Sequence, residues 1–217
     1  MSGLAHLALA AFAFVGTHFL LSHPLRATLA DRVGTAAFQG IYSAVALITF
    51  GWMVWTYRGL GDQQPLWTAG EALWWAGTAL MWLASMLFVG SFVGNPALPG
   101  APAVAAPRGA LAITRHPMMW SFAIWAAVHL AVVATPKAVV LDLAILILAI
   151  GGSVGQDAKK RKLMGERWHE WTAQTAFIPF GRGIAHPGAL ALIGGTLLFA
   201  LATWAHPMPA GFWRLAL

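Results

Sequence analysis

The chain is predicted to be an all-α protein, a polytopic transmembrane helical bundle of about six spans with a cytoplasmic amphipathic helix after span five. Three observations predict this fold. Of the 217 residues, 59% are hydrophobic and only 9% are charged, whereas soluble domains carry about 25% charged residues. Six apolar stretches approach the roughly 20 residues that a helix needs to cross a bilayer. Twelve Trp and 12 Phe against two Tyr are typical of a helical bundle with aromatic belts.

The spans follow one another with short connections, so residues 1–217 are predicted to form a single transmembrane domain. The apolar stretches cover residues 3–22, 37–57, 70–95, 118–135, 137–154 and 187–206. The fourth and fifth are separated only by a short turn at Pro136, which predicts a tight helical hairpin. The first stretch has no basic region before it, so we expect it to remain as a helix and not to be cleaved as a signal peptide.

Basic residues are distributed unequally between the two sides of these spans. Six spans place both termini on one side, with Arg58, Lys137 and Arg214. The other side carries the ten remaining Lys and Arg: Arg26, Arg32, Arg108, Arg115, Lys159, Lys160, Arg161, Lys162, Arg167 and Arg182. This bias predicts an inner-membrane protein with periplasmic termini. It also explains the net charge of +6 without nucleic acid as a partner.

Two of the basic loops have a distinctive composition. Residues 96–117 contain four prolines before Pro117 and are predicted to be irregular, in part re-entrant. Residues 156–182 predict a charged helix at the headgroup level, with Lys and Arg facing phosphates and the rings of Trp168 and Trp171 facing inward. A solvated anchor on the positive side explains the same charges.

Several short motifs are predicted to have structural roles. Four His-Pro pairs, at His23, His116, His186 and His206, mark predicted helix ends, where proline is tolerated. The pairs Gly151-Gly152 and Gly194-Gly195 predict close helix packing.

The absence of cysteine limits the chemistry that the chain can perform. It excludes disulfides, thiolate metal sites, iron–sulfur clusters and Cys nucleophiles. A bound metal would need His or carboxylate ligands. No phosphate loop, dinucleotide fingerprint or HExxH zinc motif is present in the sequence.

Histidines inside the apolar stretches are the main candidates for function, because an ionisable side chain is costly within a bilayer. His18 lies deep in the first stretch and His129 in the middle of the fourth. Together they are candidate metal ligands, or a pair of histidines hydrogen-bonded within the bundle. Their predicted depths differ by roughly 9 Å, so ligation of one iron needs a tilt, a kink or a shifted helix boundary.

His116 is a third candidate, because Arg115 precedes it and it opens the helix that carries His129. The two histidines are 13 residues apart, which is roughly 20 Å and 220° on one helix. They are therefore not expected to bind the same iron. A site that uses His18 with His116 stays open.

The order and spacing of these motifs resemble the NnrU family of bacterial membrane proteins over nearly the whole chain. The opening match is Gly16-Thr17-His18, Pro24-Leu25-Arg26 and Gly40-Ile41-Tyr42-Ser43. The middle match is Arg115-His116-Pro117-Met118 and Trp125 to Leu130. The closing match is Phe177-Ile178-Pro179-Phe180 and His206-Pro207.

The resemblance implies a function linked to nitric oxide and denitrification, or one like that of 15-cis-zeta-carotene isomerases, which are haem b enzymes of the same superfamily. It implies a haem b cofactor with His18 and His129 as iron ligands, and His116 and Arg115 near a propionate. The implied partners are membrane lipids and an apolar polyene or nitric oxide. A non-catalytic membrane assembly factor is an alternative.

The region from Arg115 onward also resembles S-adenosylmethionine-dependent membrane methyltransferases of the isoprenylcysteine type. In that interpretation Arg115, His116 and residues 156–180 would bind the cofactor. Those enzymes carry two acidic residues where this chain has Gln156-Asp157.

Overall fold

The computed structural model describes residues 2–96 and 106–215, and the described part is helical with no strand. Its helices are α1 (Gly3–Ser22), α2 (Arg26–Val33), α3 (Thr35–Gly59), α4 (Glu71–Gly90), α5 (Ala110–Ile113), α6 (Pro117–Val132), α7 (Pro136–Met164), α8 (Glu166–Gln174), α9 (Ala189–Trp204) and a 3-10 turn at Gly211–Leu215.

The predicted all-helical membrane fold is confirmed. Helices α1, α3, α4 and α7 are long and apolar enough to cross a membrane. Helices α6 and α9 are apolar but have 16 residues each, or about 24 Å of helix against a hydrocarbon core of about 30 Å. All four His-Pro pairs lie beside or between helices, as predicted.

Two span boundaries differ from the prediction by five residues or more. Helix α4 ends at Gly90, five residues before the predicted end, and a Cβ on Gly90 would lie 2.5 Å from the Ala110 Cβ. Helix α7 continues through Met164, because nothing between its apolar part and Gly165 breaks the helix. Gly165 has a φ of 56° and separates α7 from α8. Of the predicted irregular loop, residues 97–105 lie outside the described residues, and α5 occupies part of the remainder.

The chain forms two compact units, and α6 and α7 each begin in one and end in the other. The first unit comprises residues 2–69 and 129–155. Helices α1 and α3 run antiparallel there, since Trp52 Nε1 donates to His6 Nε2 over 3.1 Å while Tyr42 meets His18 farther along.

Helix α7 packs against α1 in the same unit through small residues. The Gly151 backbone lies against the Phe19 ring, and Gly155 lies against the His23 imidazole. Ala144 joins the buried cluster of Leu7, Ala10, Ala11, Phe14 and Met53. The predicted packing role of the Gly151 region is therefore confirmed.

The second unit comprises residues 70–96, 106–128 and 156–215. Helices α4 and α9 make its closest crossing, where a Cβ on Gly195 would lie 2.5 Å from Met86 Cα. Trp82 Nε1 donates across this crossing to Thr196 Oγ1 over 2.9 Å. The rings of Trp168 and Trp171 on α8 are buried, as predicted.

Candidate functional site

His18 is held in one orientation by its own helix. Its Nδ1 donates to the Phe14 carbonyl oxygen over 2.8 Å, and a carbonyl oxygen can only accept. The neutral ring therefore carries its lone pair on Nε2. The rings of Phe14 and Tyr42 meet the imidazole edge-on, with centroids 4.5 and 5.5 Å away. A backbone carbonyl on one nitrogen is the arrangement that presents the other nitrogen to a metal.

His129 lies in the last turn of α6, in the first unit. Two residues later the Ala131 carbonyl accepts from Trp67 Nε1 over 3.1 Å, in the loop that follows α3. That loop begins beside Leu60, whose side chain meets the backbone of Gly3 at the start of α1.

The position of His18 along α1 can be measured from Gly3, where the helix begins. His18 lies 15 residues beyond Gly3, which is roughly 22 Å along α1. His129 lies 12 residues beyond Pro117 and three before Val132, where α6 ends. His18 and His129 lie in the same unit, and their joint ligation of one iron stays a prediction.

His116 is fully buried in the second unit, and both ring nitrogens are engaged. Nε2 donates to Asp157 Oδ1 over 2.9 Å, and Nδ1 lies 3.0 Å from Gln156 Oε1. The Phe177 ring meets the imidazole edge-on at 5.3 Å. No nitrogen of this ring can bind a metal unless one of these hydrogen bonds opens.

Arg115 binds the same carboxylate through its guanidinium. Nη2 donates to Asp157 Oδ2 over 2.6 Å, and Nε donates to both oxygens, with the shorter distance at 2.9 Å. Nη1 points to the Thr175 carbonyl at 3.4 Å. The fork that could bind a propionate or a cofactor carboxylate is thus occupied by Asp157, and those two roles stay predictions.

Sequence reasoning did not predict that Asp157 and Gln156 bind Arg115 and His116. The sequence does contain a pattern that predicts these contacts. In the helical hairpin, positions 116 and 156 are equidistant from the turn at Pro136, and so are positions 115 and 157. An antiparallel hairpin of equal arms brings such pairs to the same level. The structure confirms this for Arg115 with Asp157 and for His116 with Gln156.

The histidines differ in their fitness for haem. Among residues 2–96 and 106–215, no three His, Asp or Glu side chains form a group that could hold a metal ion. Haem iron makes a different demand, because the porphyrin supplies four nitrogens and the protein adds axial ligands. His18 fits as an axial ligand through Nε2, whereas His116 does not fit in its hydrogen-bonded state.

Comparisons with known proteins agree with the motifs. Neither the curated proteins nor the solved structures contain a match to this chain. The family model described as NnrU protein matches residues 6–213. With nearly the whole length covered, the chain belongs to the NnrU family.

Proposed function

We propose that this protein binds haem b within its membrane-embedded helices, with His18 as an axial ligand, and acts through that haem. The observation that carries the proposal is the hydrogen bond from His18 Nδ1 to the Phe14 carbonyl. It fixes the tautomer and leaves the lone pair of the neutral ring on Nε2. When bound, the haem would supply an iron centre able to exchange an electron or bind a small ligand.

The chain's own residues prepare this ligand. Phe14 supplies both the carbonyl that orients the imidazole and a ring in edge-on contact with it, and Tyr42 on α3 limits the rotation of the imidazole. These contacts hold one rotamer before any cofactor arrives, which lowers the ordering cost of binding.

His129 is the proposed second ligand that the family resemblance implies. It lies in the last turn of α6, and its role needs a test separate from that of His18. If His18 alone held the haem, the iron would be able to bind a small ligand such as nitric oxide. If His129 held it as well, a small ligand would compete with the histidines, as the resemblance to the isomerases implies.

The test is the absorption spectrum of detergent-purified protein with a pyridine haemochrome assay. We expect one haem b per chain, lost in His18→Ala and restored when imidazole is added to that variant. His169→Ala is the control, because His169 is exposed on α8. Full haem retention in His18→Ala would sink the proposal.

The same preparation separates the remaining alternatives. His129→Ala should lose haem if both histidines ligate, and should retain it if His18 ligates alone. Conversion of a cis polyene favours an isomerase, and a spectral shift with nitric oxide favours a role in its handling. Binding of S-adenosylmethionine without haem favours the methyltransferase. If the protein shows none of these three activities, an assembly factor is favoured.

We also propose an inner-membrane location with both termini in the periplasm, on the basis of the charge bias. Reporter domains fused to either end test this. Activity of a reporter that works only in the cytoplasm would contradict it.

A further inference from the structure

The loop at residues 176–184, which joins α8 toward α9, is fixed to the rest of the second unit by hydrogen bonds. The Phe177 carbonyl accepts from Thr114 Oγ1 and from Trp120 Nε1, each over 2.7 Å. Phe180 N donates to the Ile113 carbonyl over 3.0 Å. The loop is therefore a rigid part of the unit and presents its side chains in a defined arrangement.

Its backbone adopts a costly conformation. Phe180 has a φ of 62°, the one positive value for a residue other than glycine in the described part of the chain. A bulky residue in the left-handed region costs on the order of 1–3 kcal/mol and persists only where its surroundings impose it. The turn then closes through the bridge between Gly181 and Gly183.

This turn exposes apolar side chains around one arginine. Ile184 is 99% exposed and Ile178 is 62% exposed, and Phe180 is also exposed. Arg182 lines a shallow open pocket with Ala176, Phe177, Ile178 and Gly181. Within the described residues its guanidinium has no hydrogen bond or ion pair.

The loop lies where apolar helices begin. Trp120, which holds Phe177, is in the first turn of α6, and α9 begins five residues after Ile184. If these helices enter the bilayer there, the loop lies at the headgroup level. Exposed isoleucine and phenylalanine side chains are then covered by acyl chains instead of water.

Charge indicates which lipid suits this surface. Residues 156–184 carry six basic side chains: Lys159, Lys160, Arg161, Lys162, Arg167 and Arg182. The same stretch has three acidic residues, and one of them, Asp157, is neutralised by Arg115. A guanidinium beside an apolar floor matches a lipid phosphate, which it can bind through two parallel N–H groups.

We propose that residues 176–184 bind the headgroup of an anionic phospholipid, with Arg182 on the phosphate and Ile178, Phe180 and Ile184 among the acyl chains. This site is independent of haem, so its test does not depend on the proposed function.

The experiment measures the melting temperature of the detergent-solubilised protein with added phosphatidylglycerol or with phosphatidylcholine of the same acyl chains. We expect phosphatidylglycerol to raise the melting temperature more. Arg182→Gln should lose roughly half or more of that difference. Each basic residue near the surface adds to the attraction for anionic lipid, and Arg182 is the side chain that we place on the phosphate. Arg58→Gln, an exposed arginine at the end of α3, should retain it.

Two further measurements sharpen the test. Ile184→Ser should reduce the stabilisation by both lipids. Because Ile184 is almost fully exposed, the substitution should not disturb the fold itself. An equal effect of both lipids, or an unchanged difference in Arg182→Gln, would overturn the proposal. Stabilisation by inorganic phosphate alone, equal to that of phosphatidylglycerol, would also overturn it, because the ligand would then be a free anion.

Discussion

Removal of the Asp157 carboxylate should destabilise the second unit strongly. The carboxylate accepts hydrogen bonds from both Arg115 and His116. The side chains of Arg115 and Asp157 are only 13% and 12% exposed, and that of His116 is not exposed at all. Asp157→Ala leaves a guanidinium and an imidazole buried without their acceptor. Loss of one partner from a buried pair costs about 3–5 kcal/mol, so we expect a loss in that range.

A second ion pair in the same unit is a matched control. Arg214 and Glu71 are joined over 2.6 Å, the same distance as Arg115 and Asp157. The Glu71 side chain is 69% exposed, however, and exposed pairs contribute roughly 0–1 kcal/mol. Glu71→Ala should therefore cost far less, because burial and not distance sets the difference between the two pairs.

The assay is the free energy of unfolding, obtained by titration of SDS into mixed micelles and followed by far-ultraviolet circular dichroism. Asp157→Asn should lie between the wild type and Asp157→Ala, since the amide keeps one acceptor oxygen but loses the charge. Equal losses for Asp157→Ala and Glu71→Ala would refute the reasoning. The double variant Arg115→Met with Asp157→Leu should cost less than the two single changes summed, because no guanidinium is left unpaired.

Two glycine substitutions test the helix contacts by thermal unfolding in detergent. Gly195→Ala places a Cβ 2.5 Å from Met86 Cα. A backbone atom cannot rotate aside as a side chain can, so we expect the free energy of unfolding to fall by about 1–3 kcal/mol. Gly51→Ala meets nothing within 4 Å and should be neutral or stabilising by up to about 1 kcal/mol. Gly155→Ala would overlap the His23 ring, so His23→Ala in the same chain should restore most of the lost stability. A double variant as unstable as Gly155→Ala alone would contradict this contact.

The sequence predicted the helices well because membrane helices leave a strong signal in one dimension. Twenty apolar residues with no interruption have few alternatives in a bilayer. The boundaries that differ depend on tertiary contacts or on local backbone conformation. Helix α4 stops where Gly90 meets Ala110, a residue 20 positions away, and α7 stops at a glycine with positive φ that composition alone does not distinguish.

The site was harder to predict, because histidines with similar surroundings in the sequence have different hydrogen bonds in the structure. His18 and His116 both lie at or within apolar helices and both match family motifs. Only the fold shows that His116 spends both nitrogens on Gln156 and Asp157, while His18 spends one on its own backbone. Depth is equally hidden in the sequence, since helix packing decides where His129 lies.

These hydrogen bonds suit His18 and His116 to different roles. A metal ligand needs one ring nitrogen with its lone pair available and the other held by a donor bond, which is the state of His18. His116 has both nitrogens engaged with Gln156 and Asp157, and it thereby links the start of α6 to α7. Replacement of His116 should therefore affect stability before cofactor content, and replacement of His18 the reverse. Stability and cofactor content should therefore both be measured in both variants. Either measurement alone would not separate a ligand from a structural histidine.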